Sequence, residues 1–378
     1  MENRNDVDGD SDEDEYGSGD DDNDGGDNDE NEVAGQNIIW NTVQGQFFPD
    51  PLPNFQQPGR RGVLINTDNY EVSDYFDELF PPEVFRIISR ETNRFAEQVL
   101  EERNLSGKSR FHSWKETSEN EIQTYIAIEI GMSVCAKPTI ASYWSTNWLN
   151  HTPNYHMVMP RDRYEMIRSM LHFANNEELI PQGEDGYDPL FKVRKVLDEV
   201  DQNNERVYSP DRDLAIDESI RLFKGRSILK TYNPKKPVKW GLKEYILCES
   251  DSSFVLRKIP YVGKYTTDVA DGRLTTEQIV HDLLPNRYHN KGHIVYMDNY
   301  YSSVKLFREL MENKIGACGT INKTRKGFPE ELKNVQLNKG DQPAFRSSNT
   351  LLVCSWQDTK RVNMLSTVST NDTVQKQV

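Results

Sequence analysis

Two aspartates close short apolar runs and are the residues best placed to do chemistry. Asp217 ends the run 214–217, and Asp298 ends the run 293–298. A carboxylate at the end of a buried strand is costly to desolvate unless it is paired or binds a cation. Two such strands in one sheet can bring their carboxylates together, which the repulsion of like charges opposes unless a metal bridges them. Two-metal phosphoryl-transfer enzymes use this arrangement, so both aspartates are candidate catalytic residues and metal ligands.

Each aspartate also has an ordinary alternative interpretation. Asp217 can be a solvated charge at a strand end, and Asp298 a turn or cap residue before Asn299, since most acidic residues are surface groups. Glu218 adjoins Asp217, but successive strand residues point to opposite faces of a sheet. We therefore expect Glu218 to form an ion pair at the sheet edge and not to ligate a metal.

A basic run follows the first aspartate. Residues 219–243 contain no acidic residue, and aromatic residues alternate with the cations. Such a run beside metal-type carboxylates suits a phosphate backbone, although a merely solvated face is the alternative. The candidate DNA-binding residues are Lys224, Arg226, Lys230, Lys235, Lys236, Lys239 and Lys243.

The other residues of this run predict its local structure. Pro234 and Pro237 bracket two lysines and indicate an exposed turn that holds both ammonium groups in solvent. The aromatic residues can stack on a flipped or frayed base or pack the strand hairpin. We expect Phe223 and Trp240 to lie in the core.

Charge is distributed unevenly along the chain. The formal net charge is −16, but residues 1–35 hold 16 of the 61 Asp and Glu and one of the 45 Lys and Arg. The remainder is close to neutral, so an acidic total does not argue against nucleic acid. The first 35 residues have almost no apolar side chains and are predicted to be a disordered acidic tail.

Cysteine spacing and hydropathy exclude several classes of protein. Four cysteines lie far apart without a C-x-x-C spacing, which favours reduced packing residues in an intracellular protein. No run of 18 apolar residues is present, and the acidic start does not have the pattern of a signal peptide. We therefore expect no membrane partner.

Hydrophobic periodicity changes near residue 213. Before it, apolar spacing and a capping box at Ser118 and Glu121 predict helices, including 139–149 and 160–174. After it, the predicted order is three strands, a helix, a strand, a helix and a strand, which indicates a mixed sheet with helices on its faces. The predicted strands are 213–223, 243–249, 253–262, 293–298 and 315–321, and the predicted helices between them are 275–284 and 302–313.

This order resembles the RNase H-like fold of DDE/D transposases and integrases, and the local motifs resemble those of piggyBac-type transposases. The motifs that carry the resemblance are residues 74–80, 216–219, 223–226, 260–264, 297–303, 319–322 and 356–367. Each is weak alone, but together they span roughly 73 to 370 in the family's order. The expected fold class is mixed α+β or α/β: a helical region followed by an incomplete RNase H-like sheet with flanking helices.

The resemblance also implies a division of the chain. We expect an acidic tail over 1–35, a linker over 36–72, and a helical dimerisation and DNA-binding region over 73–212. An incomplete catalytic-type domain is expected over 213–321, and the start of an insertion domain over 322–378.

The resemblance implies a function as well. Asp217 and Asp298 match the family's first two catalytic aspartates, and Mg²⁺ or Mn²⁺ is the implied cofactor. A third aspartate and a zinc-binding module are expected further along the family's chain, and neither is found before Val378. The expected function is metal-dependent cutting and joining of DNA at TTAA sites, in the nucleus, with transposon ends as partners and a possible homodimer. Whether this chain is an enzyme stays open, because we expect its site to be incomplete. The alternatives are a DNA-binding remnant without catalysis and a fragment without function.

Overall fold

The computed structural model describes residues 38–55, 61–102, 105–148, 152, 155–234, 236–270 and 272–373. The acidic segment 1–35 lies outside the described residues. Among the residues described, no helix has both the length and the apolar character needed to cross a membrane.

The first part of the chain is largely helical. Its helices are α1 (Val72–Leu79), α2 (Pro82–Glu102), α3 (Glu119–Val134), α4 (Ile140–Tyr143), α5 (Tyr155–Val158), α6 (Arg161–Met170) and α7 (Phe191–Val207), with 3₁₀ turns at Arg110–Ser113 and Asn176–Glu178. The apolar faces of α2, α3 and α6 share one core cluster, which contains Ile88, Ile122 and Ile167. The helical nature expected of this region is confirmed.

Two details of the helical region differ from the sequence predictions. Ser118 caps α3 by accepting a hydrogen bond from the Glu121 backbone N–H, but the Glu121 carboxylate accepts instead from Arg163 at 2.6 and 2.7 Å. The predicted helix 139–149 is wrong, since residues 139–148, the part of it that the structure describes, form only the single turn α4. The ion pair with Arg163 thus replaces the second half of the capping box. The short capped turn α4 replaces the longer helix that the apolar spacing indicated.

The second part of the chain supplies most of the strands. The strands are β1 (Asn41–Thr42), β2 (Gly62–Val63), β3 (Tyr208–Ser209), β4 (Asp213–Leu222), β5 (Lys230–Tyr232), β6 (Trp240–Glu249), β7 (Val255–Pro260), β8 (Ile294–Met297), β9 (Gly316–Thr320), β10 (Ala344–Ser348), β11 (Leu351–Gln357) and β12 (Arg361–Ser366). The helices are α8 (Thr275–Leu283), α9 (Val304–Glu312) and α10 (Glu330–Asn334), with a 3₁₀ turn at Asn286–Tyr288. All five predicted strands and both predicted helices after residue 213 are confirmed in type, with ends shifted by up to three residues.

The main sheet is mixed. Its order is β1-β10-β11-β12-β9-β8-β4-β6-β5. β5 pairs with residues 240–242 of β6, and β7 pairs with residues 244–248 of the same strand. Strands β4, β8 and β9 are parallel neighbours, and the other pairings are antiparallel. Apolar residues of α8 and α9 pack with these central strands in one large buried cluster. The expected mixed α+β class is therefore confirmed.

Distant segments complete this sheet. β1, which belongs to the predicted linker, pairs with β10, and the Trp40 indole N–H donates to the Gly327 carbonyl at 2.8 Å. β12 pairs with β9, so residues beyond 322 extend the same sheet. The domain boundaries expected from the sequence stay predictions.

Candidate active site

The two aspartates lie at one edge of the parallel part of the sheet. Ile216 in β4 is the register partner of Met297 in β8, and Asp217 and Asp298 are the next residue of each chain segment. The two strands are therefore parallel neighbours in the sheet. β8 ends at Met297, just before Asp298, but β4 continues past Asp217 to Leu222, so Asp217 lies within its strand and not at its end as the sequence indicated. Both aspartates thus occupy the edge at which the parallel pairing of β4 and β8 stops.

Local hydrogen bonds fix each aspartate. The Asp217 carboxylate accepts from the Glu218 backbone N–H at 2.8 Å, and the Asp298 carboxylate accepts from the Tyr300 N–H at 2.9 Å. The Ser302 hydroxyl donates to the Asp298 carbonyl at 2.8 Å. The last contact closes a turn that leads from β8 directly into α9, so the strand and the helix hold Asp298 from both sides.

Burial and like charge disfavour ionisation of both aspartates. Partial burial of its carboxylate raises the pKa of Asp217, and the charge of Glu218 adds to that effect. Partial burial also raises the pKa of Asp298, with a further contribution from Glu218. A cation at this edge would relieve the repulsion among the carboxylates.

Glu218 forms the ion pair that the sequence indicated, but it lies close to the two aspartates. The Lys236 ammonium is 3.0 Å from one Glu218 oxygen, and the Tyr301 hydroxyl is 3.5 Å from the other. Burial alone would raise the pKa of Glu218, but the hydrogen bond and charge of Lys236 outweigh it and lower that pKa. The charges of Asp217 and Asp298 also act on Lys236 and help to raise its pKa. Lys236 therefore interacts electrostatically with all three carboxylates.

The other members of the basic run occupy different environments. Lys224, Arg226 and Lys239 are exposed, as expected for DNA-contacting residues. Lys230 lies over the Trp240 ring, with its ammonium 5.1 Å from the ring centroid. Lys235 lies outside the described residues.

Two expectations about this run were wrong. The Lys236 side chain is 41% exposed, but its ammonium is paired with Glu218 at 3.0 Å and is not held free in solvent. Trp240 is not a core residue, since 46% of it is exposed, while Phe223 is half-buried. The sequence pattern could not place these side chains, because their partners lie on other strands.

Lys243 lies within a group of tyrosines that the sequence analysis did not identify. Its ammonium is 5.0, 5.3 and 5.4 Å from the ring centroids of Tyr245, Tyr300 and Tyr261. Such distances are those of cation–π contacts. Tyr300 and Tyr301 follow Asp298 after a single residue, Asn299, and this tyrosine pair was the signal in the sequence that could have identified the group.

The residues present suit an oxygen-preferring cation in type. Asp217 and Asp298 supply carboxylate oxygens, which are the ligands that Mg²⁺ and Mn²⁺ take. Burial is the main cause of the raised pKa of each aspartate, and the charge of Glu218 adds a repulsion that a bound cation would offset. Across the described ranges, however, no group of three or more His, Cys, Asp or Glu is arranged to hold a metal ion.

Comparisons with known proteins agree with this architecture. The family model described as Transposase IS4 matches residues 72–378. Human PiggyBac transposable element-derived protein 2 is 28% identical over 305 residues, which cover 77% of this chain and 47% of that protein. Human PiggyBac transposable element-derived protein 3 is 22% identical over 256 residues, which cover 66% of this chain and 42% of that protein. The chain therefore spans about half the length of these curated relatives.

A solved structure is similar over most of the chain. It is the cryo-EM structure of a piggyBac transposase synaptic complex with hairpin DNA, at 26% identity and a TM-score of 0.68. The match covers 82% of this chain and 63% of that chain. The chain belongs to the Transposase IS4 family, and the similarity to piggyBac-type transposases expected from its motifs is confirmed.

Proposed function

We propose that this chain carries the RNase H-like catalytic-type domain of a piggyBac-type DNA transposase. The whole protein would cut DNA at transposon ends and join it to TTAA targets in the nucleus. The observation that carries the proposal is the placement of Asp217 and Asp298 at one edge of the parallel strands β4 and β8. Family membership and the DNA in the similar synaptic complex support it.

In this proposal Asp217 and Asp298 hold a divalent cation, Mg²⁺ or Mn²⁺. A cation bound there would activate a water or a 3′-hydroxyl and stabilise the departing oxygen. Other residues of the chain orient these two ligands. The Glu218 and Tyr300 N–H groups fix the two carboxylates, and the turn into α9 fixes the Asp298 backbone. The exposed cations Lys224, Arg226 and Lys239 would hold the phosphate backbone of DNA that extends beyond this edge along β4.

The proposal includes a homodimer formed through the helical region. Val134, Trp148 and Met157 are 84%, 87% and 76% exposed. Apolar side chains of this size in contact with water favour an interface with another protein surface. Sedimentation velocity should show a dimer that Trp148→Asp converts to a monomer.

A second candidate is DNA binding without catalysis. It is favoured by Lys236, which already supplies a positive charge to the carboxylates that would bind metal. In this case the basic run would grip DNA while no cation was held in place for cleavage.

One experiment separates the candidates. The purified chain is incubated with labelled DNA that carries TTAA, with Mg²⁺ or Mn²⁺, and both binding and nicking are measured. Metal-dependent nicking that disappears in both Asp217→Ala and Asp298→Ala supports the transposase proposal. Binding without nicking supports the second candidate, and absence of DNA binding overturns both.

A further inference from the structure

An exposed aromatic pair lies on the basic run, away from the aspartates. Tyr232 in β5 is the register partner of Trp240 in β6, and their ring centroids are 4.5 Å apart with a tilt of 39°. The two residues are 43% and 46% exposed. Large aromatic residues at cross-strand positions usually bury more of their surface, so this pair presents an open apolar face.

The surroundings of the pair combine apolar surface with positive charge. Leu222 and Ile228 are 63% and 74% exposed. Lys230 lies over the Trp240 ring, and Lys224, Arg226 and Lys239 are exposed on the same run, which contains no acidic residue. An occupant must therefore offer flat apolar faces together with negative charge.

Unpaired nucleotides meet both requirements. Every base has a π-face that can stack on an aromatic side chain, and its phosphate is attracted to nearby lysines and arginines. In a fully paired duplex the base faces are covered by their neighbours. A second protein would have to match a run, 219–243, in which all the charged residues are positive.

The aromatic pair is also positioned along the strand that carries Asp217. The Phe223 backbone N–H donates to the Trp240 carbonyl, so Trp240 lies level with Phe223, six residues beyond Asp217. At the rise of a strand this separation is about 20 Å. A DNA strand bound at the acidic edge could extend to the pair within a few nucleotides.

We propose that Tyr232 and Trp240 form a stacking platform for unpaired bases of the DNA strand that lies at the acidic edge. This inference rests on the proposed function and adds a base-binding site to it. The platform would hold the strand end after base pairs near the cut have opened.

The test compares two DNA probes with the full 378-residue chain. One probe is a blunt duplex, and the other is the same duplex with a short single-stranded thymine overhang. Fluorescence anisotropy gives the affinity for each. Trp240→Ala should weaken binding to the overhang probe about tenfold and leave the blunt duplex within about twofold.

Three further variants serve as controls. Trp240→Phe keeps a flat ring and should retain most of the preference for the overhang. Phe48→Ala removes an aromatic residue that is 68% exposed and lies in the predicted linker, and it should change neither affinity. Lys239→Ala should weaken both probes by a similar factor, since a phosphate contact does not require unpaired bases.

Several results would overturn the platform. Equal weakening of both probes by Trp240→Ala would show that Trp240 supports the hairpin only, and unchanged affinities would show no stacking role. A change of sedimentation coefficient in Trp240→Ala without DNA would indicate a protein interface instead. If the wild type bound neither probe, the proposed function would be overturned together with the platform. If only the platform is wrong, the wild type still binds DNA.

Discussion

The carboxylates of Asp217 and Asp298 lower the stability of the metal-free fold, and the same two groups could bind a cation. Burial raises the pKa of each, so each holds its proton more tightly in the folded protein than in the unfolded chain. Ionisation of such a group destabilises the fold. This penalty is complete above the raised pKa and is lost as the pH falls below the ordinary value of 3.8.

Asp217→Asn should therefore stabilise the metal-free protein at neutral pH. The amide keeps the shape and the acceptor oxygen but removes the charge, so we expect the melting temperature to rise by roughly 1–2 °C. The gain should shrink as the pH falls through the raised pKa towards about pH 4. Thermal melts over this pH range measure it, with Asp268→Asn, at an exposed loop position, as the control. A gain that grows on acidification would contradict the explanation.

Lys236 should compete with a metal for the acidic edge. Its ammonium is 3.0 Å from Glu218 and interacts with the charges of both aspartates. Lys236→Met should raise the affinity for Mn²⁺ by about fivefold, because a competing positive charge is removed. Electron paramagnetic resonance of free Mn²⁺ measures this affinity without any assay of activity. Lys239→Met, on the same run but exposed, should change it little, and equal effects of the two variants would remove Lys236 from this role.

At the scale of elements, the acidic edge depends on close packing of β8 against β9. Gly319 in β9 is the register partner of Met297. A Cβ at Gly319 would lie 2.2 Å from the Met297 carbonyl oxygen and 2.7 Å from the Ser302 hydroxyl. The Met297 backbone before Asp298 and the Ser302 side chain after it therefore both pack closely against Gly319.

Gly319→Ala should disturb both the fold and the edge. The added methyl group must displace the Met297 carbonyl or the Ser302 side chain, and overpacking of this kind destabilises by about 1–3 kcal/mol. Denaturant unfolding measures the loss, and Mn²⁺ binding should weaken in parallel. Gly107→Ala is the matched control, since nothing lies within 4 Å of the Cβ that it would add. A stability change no larger than that of the control would refute the steric argument.

At the scale of the whole molecule, opposite charges occupy different parts of the chain. Most of the net charge of −16 arises in residues 1–35, while 219–243 carries only positive side chains. The overall pI therefore says little about the surface beside the candidate site. Affinity for DNA should depend on the local positive run, and its salt dependence reports the number of phosphates contacted.

The triple variant Lys224→Ala, Arg226→Ala and Lys239→Ala should flatten the salt dependence of DNA binding. Loss of up to three phosphate contacts should reduce the slope of log K against log salt by up to about 2.7. Anisotropy titrations over a range of salt concentrations measure the slope. The control removes three exposed lysines outside this run and outside the helical region, Lys314, Lys339 and Lys360, and should leave the slope close to that of the wild type. An identical slope in the triple variant would mean that the run is only a solvated face.

The sequence by itself determined the type and order of the elements that carry the two aspartates. Alternating or continuous apolar residues identified β4 and β8, and helical spacing identified α8 and α9, because these signals depend on neighbours within a few residues. The same pattern put Asp298 just after the end of β8, as the structure has it, whereas β4 continues beyond Asp217 to Leu222. The parallel pairing that brings the two strands together agrees with the order of elements.

Only the tertiary structure decided where the side chains around that pair point. Lys236 turns to Glu218, Trp240 stays exposed opposite Tyr232, and β1 pairs with β10, about 300 residues away in the chain. Neither the local charge nor the local hydropathy predicts these contacts, since each depends on a partner from another part of the chain that folding brings close. Local periodicity therefore specified the scaffold, whereas burial and charge at the site were fixed by contacts that exist only once the sheet has formed.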